Sequence, residues 1–139
     1  MLVTPDKIPV NTIYVIHSKR KEIPLQYLLA ILNSRLIAYY TSKKYATTAM
    51  RGGFIELRAF EIESMPIRIG DKKIKPAAEL VEQITKLSEK LVAANEQTDE
   101  SVRLKREIAA VDARIDELVF DLYGLTAEER RIVEESFAK

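Results

Sequence analysis

From Pro76 onward the apolar residues keep a helical beat, and that beat restricts this half of the chain to paired helices. Leu80, Ile84, Leu87, Leu91 and Ala94 are spaced four, three, four and three residues apart. A second series follows at Leu104, Ile108, Val111, Ile115, Leu118 and Leu122. Such spacing lays one apolar stripe along each helix, and a stripe leaves water by packing on another stripe. Between the two series stands the polar stretch Asn95-Glu96-Gln97-Thr98-Asp99, with Thr98 or Asp99 available as a helix cap. This break favours an antiparallel hairpin, with one continuous helix as the alternative. Gly124 is placed to stop the second helix. Thr126 followed by Glu129 forms a capping box for a short last helix carrying Ile132, Val133 and Phe137.

Residues 1–75 read differently. Pro5, Pro9 and Asn11 mark an extended lead-in. Thr12-Ile13-Tyr14-Val15-Ile16 is β-branched and aromatic, so a strand is expected there. A basic loop follows, and Pro24 suits the start of a helix expected from Leu25 to about Lys44. Leu25, Leu28, Leu29, Leu32, Leu36 and Tyr39 share one face of that helix, and Ala30, Ile31 and Ile37 widen it. A loop carries Arg51-Gly52-Gly53, whose glycines let the backbone approach a neighbour or ligand closely. Phe54-Ile55-Glu56-Leu57-Arg58 alternates as a strand does. Phe60, Ile62 and Met65 are read as further apolar anchors. Pro66-Ile67-Arg68-Ile69 is expected as a last edge strand, followed by a turn at Gly70-Asp71-Lys72-Lys73. The fold expectation is therefore α+β: a small mixed domain over residues 1–75, with a central apolar helix and short β-strands. A long antiparallel helical hairpin and a short C-terminal helix follow over residues 76–139.

Charge divides the chain in the same place. Residues 1–75 hold 13 Lys and Arg against 6 Asp and Glu, whereas residues 76–139 hold 9 against 15. A basic half beside an acidic half suggests an anionic partner for the former, although glutamate-rich helical surfaces alone produce the same split. No run of 18 apolar residues is present to span a membrane, and the first residues lack the pattern of a signal peptide. With no cysteine, disulfides and thiol chemistry are excluded. The expected location is cytoplasmic.

Catalytic patterns are sparse. No phosphate-binding glycine loop of the dinucleotide or Walker type occurs. The one histidine, His17, reads as structural. Asp112 and Asp116 could reach one cation, but such acids on a helix more often face water or basic side chains, and Arg114 is close in sequence. The cations carry more. Lys19, Arg20 and Lys21 share a loop, Lys43 and Lys44 end the apolar helix, Arg51 precedes Gly52 and Gly53, and Arg58 follows. If these meet at one edge, with Tyr40 and Tyr45 among them, they make a basic rim that neutralises phosphates. Lys43 and Lys44 also complement the helix dipole. The candidate DNA contacts are thus Lys19, Arg20, Lys21, Lys43, Lys44, Arg51, Gly52, Gly53 and Arg58, with no catalytic and no metal-binding residue.

Several stretches resemble one family in combination: Asn11-Thr12-Ile13-Tyr14-Val15, the run from Leu28 to Ile37 with Tyr39-Tyr40, Arg51-Gly52-Gly53-Phe54, Met65-Pro66-Ile67 and the run from Ile115 to Glu129. They resemble the TaqI-like C-terminal specificity domain of adenine-N6 DNA methyltransferases and type IIG restriction–modification enzymes, over roughly residues 11–135. The resemblance implies a module that reads duplex DNA opposite a methyltransferase domain and helps hold it while the target adenine is flipped. The helical region resembles the spacer and dimer-forming helices of type I specificity subunits. Asn33, Arg35, Gly52 and Gly53 are implied as scaffold. The Asn-Pro-Pro-Tyr motif and the glycine-rich strand that binds S-adenosylmethionine are both missing from this sequence. The chain is therefore expected to be no enzyme itself but a fragment or detached recognition module. S-adenosylmethionine would belong to a partner methyltransferase or nuclease, and no cofactor to this chain. Expected partners are double-stranded DNA, that methyltransferase or nuclease, and a second copy through the helical region. The alternative is a hairpin assembly module with no direct DNA contact.

Overall fold

The computed structural model describes residues 16–46 and 58–138, and all regular structure among them is helical. The helices are α1 (Leu25–Leu32), α2 (Arg35–Lys44), α3 (Ala59–Glu63), α4 (Asp71–Ala93), α5 (Asp99–Tyr123) and α6 (Ala127–Glu135). No strand occurs among the described residues, so the α+β expectation is overturned. The strand expected over residues 12–16 lies outside the described residues except for Ile16, which joins no element. The strand expected over residues 54–58 lies outside them except for Arg58, which is the N-cap of α3.

The expected strand over residues 66–69 lies within the described region, and its failure has a visible cause. The segment runs between helices with its polar groups turned to two tyrosine hydroxyls rather than to a neighbouring strand. The Tyr123 hydroxyl donates to the Pro66 carbonyl at 2.6 Å and accepts the Arg68 N–H at 3.1 Å. The Tyr27 hydroxyl donates to the Arg68 carbonyl at 2.7 Å and accepts the Gly70 N–H at 3.2 Å. A chain satisfied in this way has no need of a ladder.

The long apolar helix expected from Leu25 to Lys44 is two helices. Asn33 donates its side-chain amide to the Leu29 carbonyl at 3.0 Å. Ser34 takes an extended backbone, and its hydroxyl accepts the Ile37 N–H at 3.3 Å. The same hydroxyl donates to the Ile31 carbonyl at 2.6 Å. The pair closes one helix and caps the next, the role short polar side chains favour. The break also turns the buried face. Tyr27, Ala30 and Ile31 are buried on α1 and Ile37 on α2, whereas Leu25 is exposed and Leu28, Leu29, Leu32 and Leu36 are partly buried.

The hairpin is present, α4 packing along α5. It is antiparallel: Lys73 pairs with Asp121 at 3.6 Å near one end, and Leu91 and Lys105 line a common groove near the other. Leu80, Leu87, Leu104, Val111, Ile115, Leu118 and Leu122 are buried in one core, with Ile84, Leu91, Ala94 and Ile108 packed against it. Thr98 caps α5 by accepting the Ser101 N–H at 3.2 Å. Gly124 ends α5 with φ +67°, the left-handed region glycine enters without strain. Thr126 and Glu129 form the expected capping box. However, α4 begins at Asp71 rather than after Pro76, so the expected turn over residues 70–73 is a helix start. Asp71 there complements the positive end of the helix. Gly70 is tight against the hairpin, since a Cβ on it would lie 2.7 Å from Leu122 Cδ1. α1 lies on α4, and α2 contacts α5 and α6, so one core runs from Ile23 to Leu122.

One polar contact locks the α1–α2 pair to the hairpin. Asp116 is buried, and its Oδ1 accepts the Arg35 N–H at 2.8 Å. Asp116 thus satisfies an unpaired donor of the first turn of α2 from another helix. Its Oδ2 lies 3.5 Å from Arg35 Nε, but that side chain is half exposed. The acid is therefore turned from water toward a basic residue, Arg35. Burial raises its pKa, and the Arg35 N–H only partly offsets this. The group's folded pKa exceeds its unfolded value, so its contribution is fully present below the unfolded pKa of about 3.9 and is lost as pH rises through the folded pKa. Asp116→Asn keeps an acceptor and removes the charge, so its stability relative to wild type should rise between about pH 3 and pH 7. Asp116→Ala should cost about 1–3 kcal/mol at neutral pH by orphaning the Arg35 N–H. Urea unfolding at both pH values checks this. A relative loss for Asp116→Asn on raising pH would mean that the Arg35 ion pair outweighs desolvation.

Candidate nucleic-acid interface

The C-terminal end of α2 places cations on aromatic rings. Lys43 and Lys44 occupy its last turn, where cations complement the helix dipole. Lys43 Nζ lies 5.4 Å from the centre of the Tyr39 ring. Lys44 Nζ lies 5.2 Å from the Tyr40 ring centre and 5.5 Å from that of Tyr45. It also donates to the Tyr40 hydroxyl at 2.8 Å. That hydrogen bond, the largest cause, holds the Lys44 ammonium above its ordinary pKa, so it stays charged at any physiological pH. Helical spacing produces the arrangement, since Tyr39 and Lys43, and Tyr40 and Lys44, are each four residues apart. Tyr45 is buried, and Tyr39 and Tyr40 are half-buried; these rings anchor and aim the lysines.

A third cation, Arg58, stands at the N-cap of α3. The buried Glu61 carboxylate accepts the Arg58 N–H at 2.7 Å and Arg58 Nη2 at 3.3 Å. Its pKa is lowered, first by the Arg58 backbone N–H, then by the Arg58 side chain, with the Lys44 charge also contributing. Glu61 thus responds to the Arg58 charge and, least of the causes, to that of Lys44. The Arg58 guanidinium lies 4.7 Å from the centre of the Phe60 ring. Phe60 is 57% exposed and is not the interior anchor the sequence suggested. Phe60 and Glu61 were missed as parts of this site. An arginine two residues before an aromatic and three before a glutamate was the available signal.

The remaining candidates are placed as follows. Lys19, Arg20 and Lys21 are exposed in the loop before α1. Its backbone is held by Ser18, whose hydroxyl contacts the Ile23 carbonyl at 2.6 Å and the Arg20 carbonyl at 2.9 Å. Among the described residues no hydrogen bond, ion pair or ring contact joins this loop to the Lys44 and Arg58 group. Arg51, Gly52 and Gly53 lie outside the described residues. Of the scaffold residues, Asn33 caps α1 and Arg35 begins α2 against Asp116. Among the described residues no ion pair joins an acid of the hairpin to a candidate cation: Glu82 pairs with Lys86 at 2.7 Å within α4, and Glu117 and Asp121 of α5 pair with Arg130 of α6 at 2.8 and 2.6 Å.

Residues 2–67, just under half of the chain, match the family model of the TaqI-like C-terminal specificity domain. The match takes in α1, α2, α3 and the extended segment up to Ile67; the run from Ile115 to Glu129 lies outside it. No curated protein and no solved structure matches the chain. No described helix is long and apolar enough to cross a membrane.

Proposed function

We propose that this chain is a DNA sequence-recognition module of a restriction–modification system, positioning duplex DNA for an adenine-N6 methyltransferase or endonuclease carried elsewhere. The observation that carries the reading is the specificity-domain match, which contains all nine candidate DNA contacts. The exposed cations at the end of α2 and the start of α3 support it. Phosphates are met there by charges already fixed on aromatic rings or on Glu61, so less side-chain freedom is lost on binding. The module itself performs no chemistry, and S-adenosylmethionine belongs to the partner. The assembly alternative draws no support from the heptad residues, because those of α4 and α5 bury one another within one chain.

An anisotropy titration of the full chain on duplex DNA tests the proposal. A half-clamp neutralising three or four phosphates should lose roughly 40- to 150-fold in affinity between about 50 and 200 mM salt. Lys44→Ala should lower the salt slope by about one. A flat salt response, or a slope untouched by removing Lys43, Lys44 and Arg58 together, would overturn it.

A further inference from the structure

Phe60 is the exposed aromatic that the basic rim leaves unexplained. It is 57% exposed on a short helix whose Glu61 and Met65 neighbours in sequence are buried. The Arg58 guanidinium lies 4.7 Å from its ring centre. The guanidinium is not free to wander, because Nη2 is bonded to Glu61 Oε1 and the same carboxylate holds the Arg58 N–H. The result is a guanidinium plane and an aromatic ring held together at the surface, with much of the ring open. The Lys44 charge adds to that of Arg58 in lowering the Glu61 pKa.

An exposed phenylalanine gains by covering its ring, and the charge around it selects what covers it. An apolar protein surface would have to strip water from Arg58 and Lys44, a cost without a matching return. A nucleic-acid base brings a π-face for the ring and a phosphate chain for the cations. In a fully paired duplex the base faces are stacked on one another and out of reach. An unpaired base offers a free face. We infer that the Arg58 and Phe60 pair is a stacking platform for an unpaired base of the bound DNA, with Glu61 as the residue that positions Arg58. This rests on the DNA-recognition reading and adds to it the state of the DNA that the module prefers.

The test compares two duplexes of the same sequence, one fully paired and one with a single base opposite an abasic site. Full-length chain is titrated with each at two salt concentrations. Wild type should bind the duplex with the unpaired base roughly tenfold more tightly, the value of one stacked base. That ratio should hold at both salt concentrations, because stacking releases no counterions. Phe60→Ala should bring the ratio close to one while leaving the salt slope on paired duplex unchanged. Phe60→Trp should retain the preference. Glu61→Gln should weaken it, since Arg58 is then less firmly held. Phe60 is largely exposed, so Phe60→Ala should keep the wild-type melting temperature, which controls for misfolding. Equal, salt-dependent binding of both duplexes by wild type overturns the platform and leaves the recognition reading standing. A preference that survives in Phe60→Ala overturns it also. Binding to neither duplex removes both.

Discussion

Ile115→Asp should leave the chain largely unfolded at 25 °C without converting a folded dimer into a folded monomer. Ile115 is buried midway along α5, in the core that α5 shares with α4 and α1. Two costs add. Burial of the isoleucine side chain, about 1.5–3 kcal/mol, is lost. A carboxyl is also placed where no described cation waits for it, beside the buried Asp116 and one turn from Asp112. Either the charge is desolvated or the group is held protonated far above its ordinary range; both cost several kcal/mol. A total above about 4 kcal/mol is comparable with the whole stability of a domain this size, about 5–15 kcal/mol. Far-ultraviolet circular dichroism should lose most of its helical signal, and whatever remains folded should sediment with the wild-type mass. A well-folded variant with half the wild-type mass would show that Ile115 joins two chains rather than two helices of one.

The hairpin was legible because everything that specifies it is local. Leu80, Leu87, Leu104, Val111, Ile115, Leu118 and Leu122 are spaced to bury themselves, and the expected cap and stop residues Thr98, Gly124 and Thr126 act where they stand. The N-terminal half hid its plan in side-chain to backbone contacts. Asn33 and Ser34 are good capping residues, but the apolar run on both sides gave no reason to break the helix there. Tyr27 passed unnoticed because its role needs the carbonyl of Arg68, 41 residues away. The segment over residues 66–70 is extended, as its proline suggested, yet extension alone does not say whether a strand or a tyrosine hydroxyl completes the hydrogen bonds. For the candidate interface, charge was legible and geometry was not. The sequence grouped Lys43, Lys44 and Arg58 with two tyrosines but placed Phe60 in the interior, since a lone phenylalanine is usually buried. Only the fold shows that Arg58 and Glu61 hold it at the surface.

Tyr27→Ala should cost about 3–5 kcal/mol, the range for emptying a large aromatic site. Tyr27 has no exposed surface, and alanine suits a helix interior, so the loss reports packing and hydrogen bonding rather than helix propensity. Tyr27→Phe separates the two. It keeps the ring and strands the Arg68 carbonyl and the Gly70 N–H, which water can partly reach, so about 1 kcal/mol is expected. Burial raises the pKa of both Tyr27 and Tyr123, so both hydroxyls remain protonated donors across the physiological range. Tyr123→Phe should cost a similar amount by releasing Pro66 and the Arg68 N–H. The double variant should depart from additivity by about 0.5 kcal/mol or more, because both hydroxyls grip one short segment and its release from one weakens its hold on the other. Denaturant titration of the four proteins measures this coupling. Strict additivity would mean that the segment is fixed by its flanking helices, with the tyrosines merely satisfying its polar groups. Coupling would make the tyrosine pair the joint through which the cationic end, carried by α2 and α3, is held at a set angle to the hairpin. In that case Tyr27→Phe should also weaken DNA binding without changing any cation, a loss that would appear equally at low and high salt because no phosphate contact is removed.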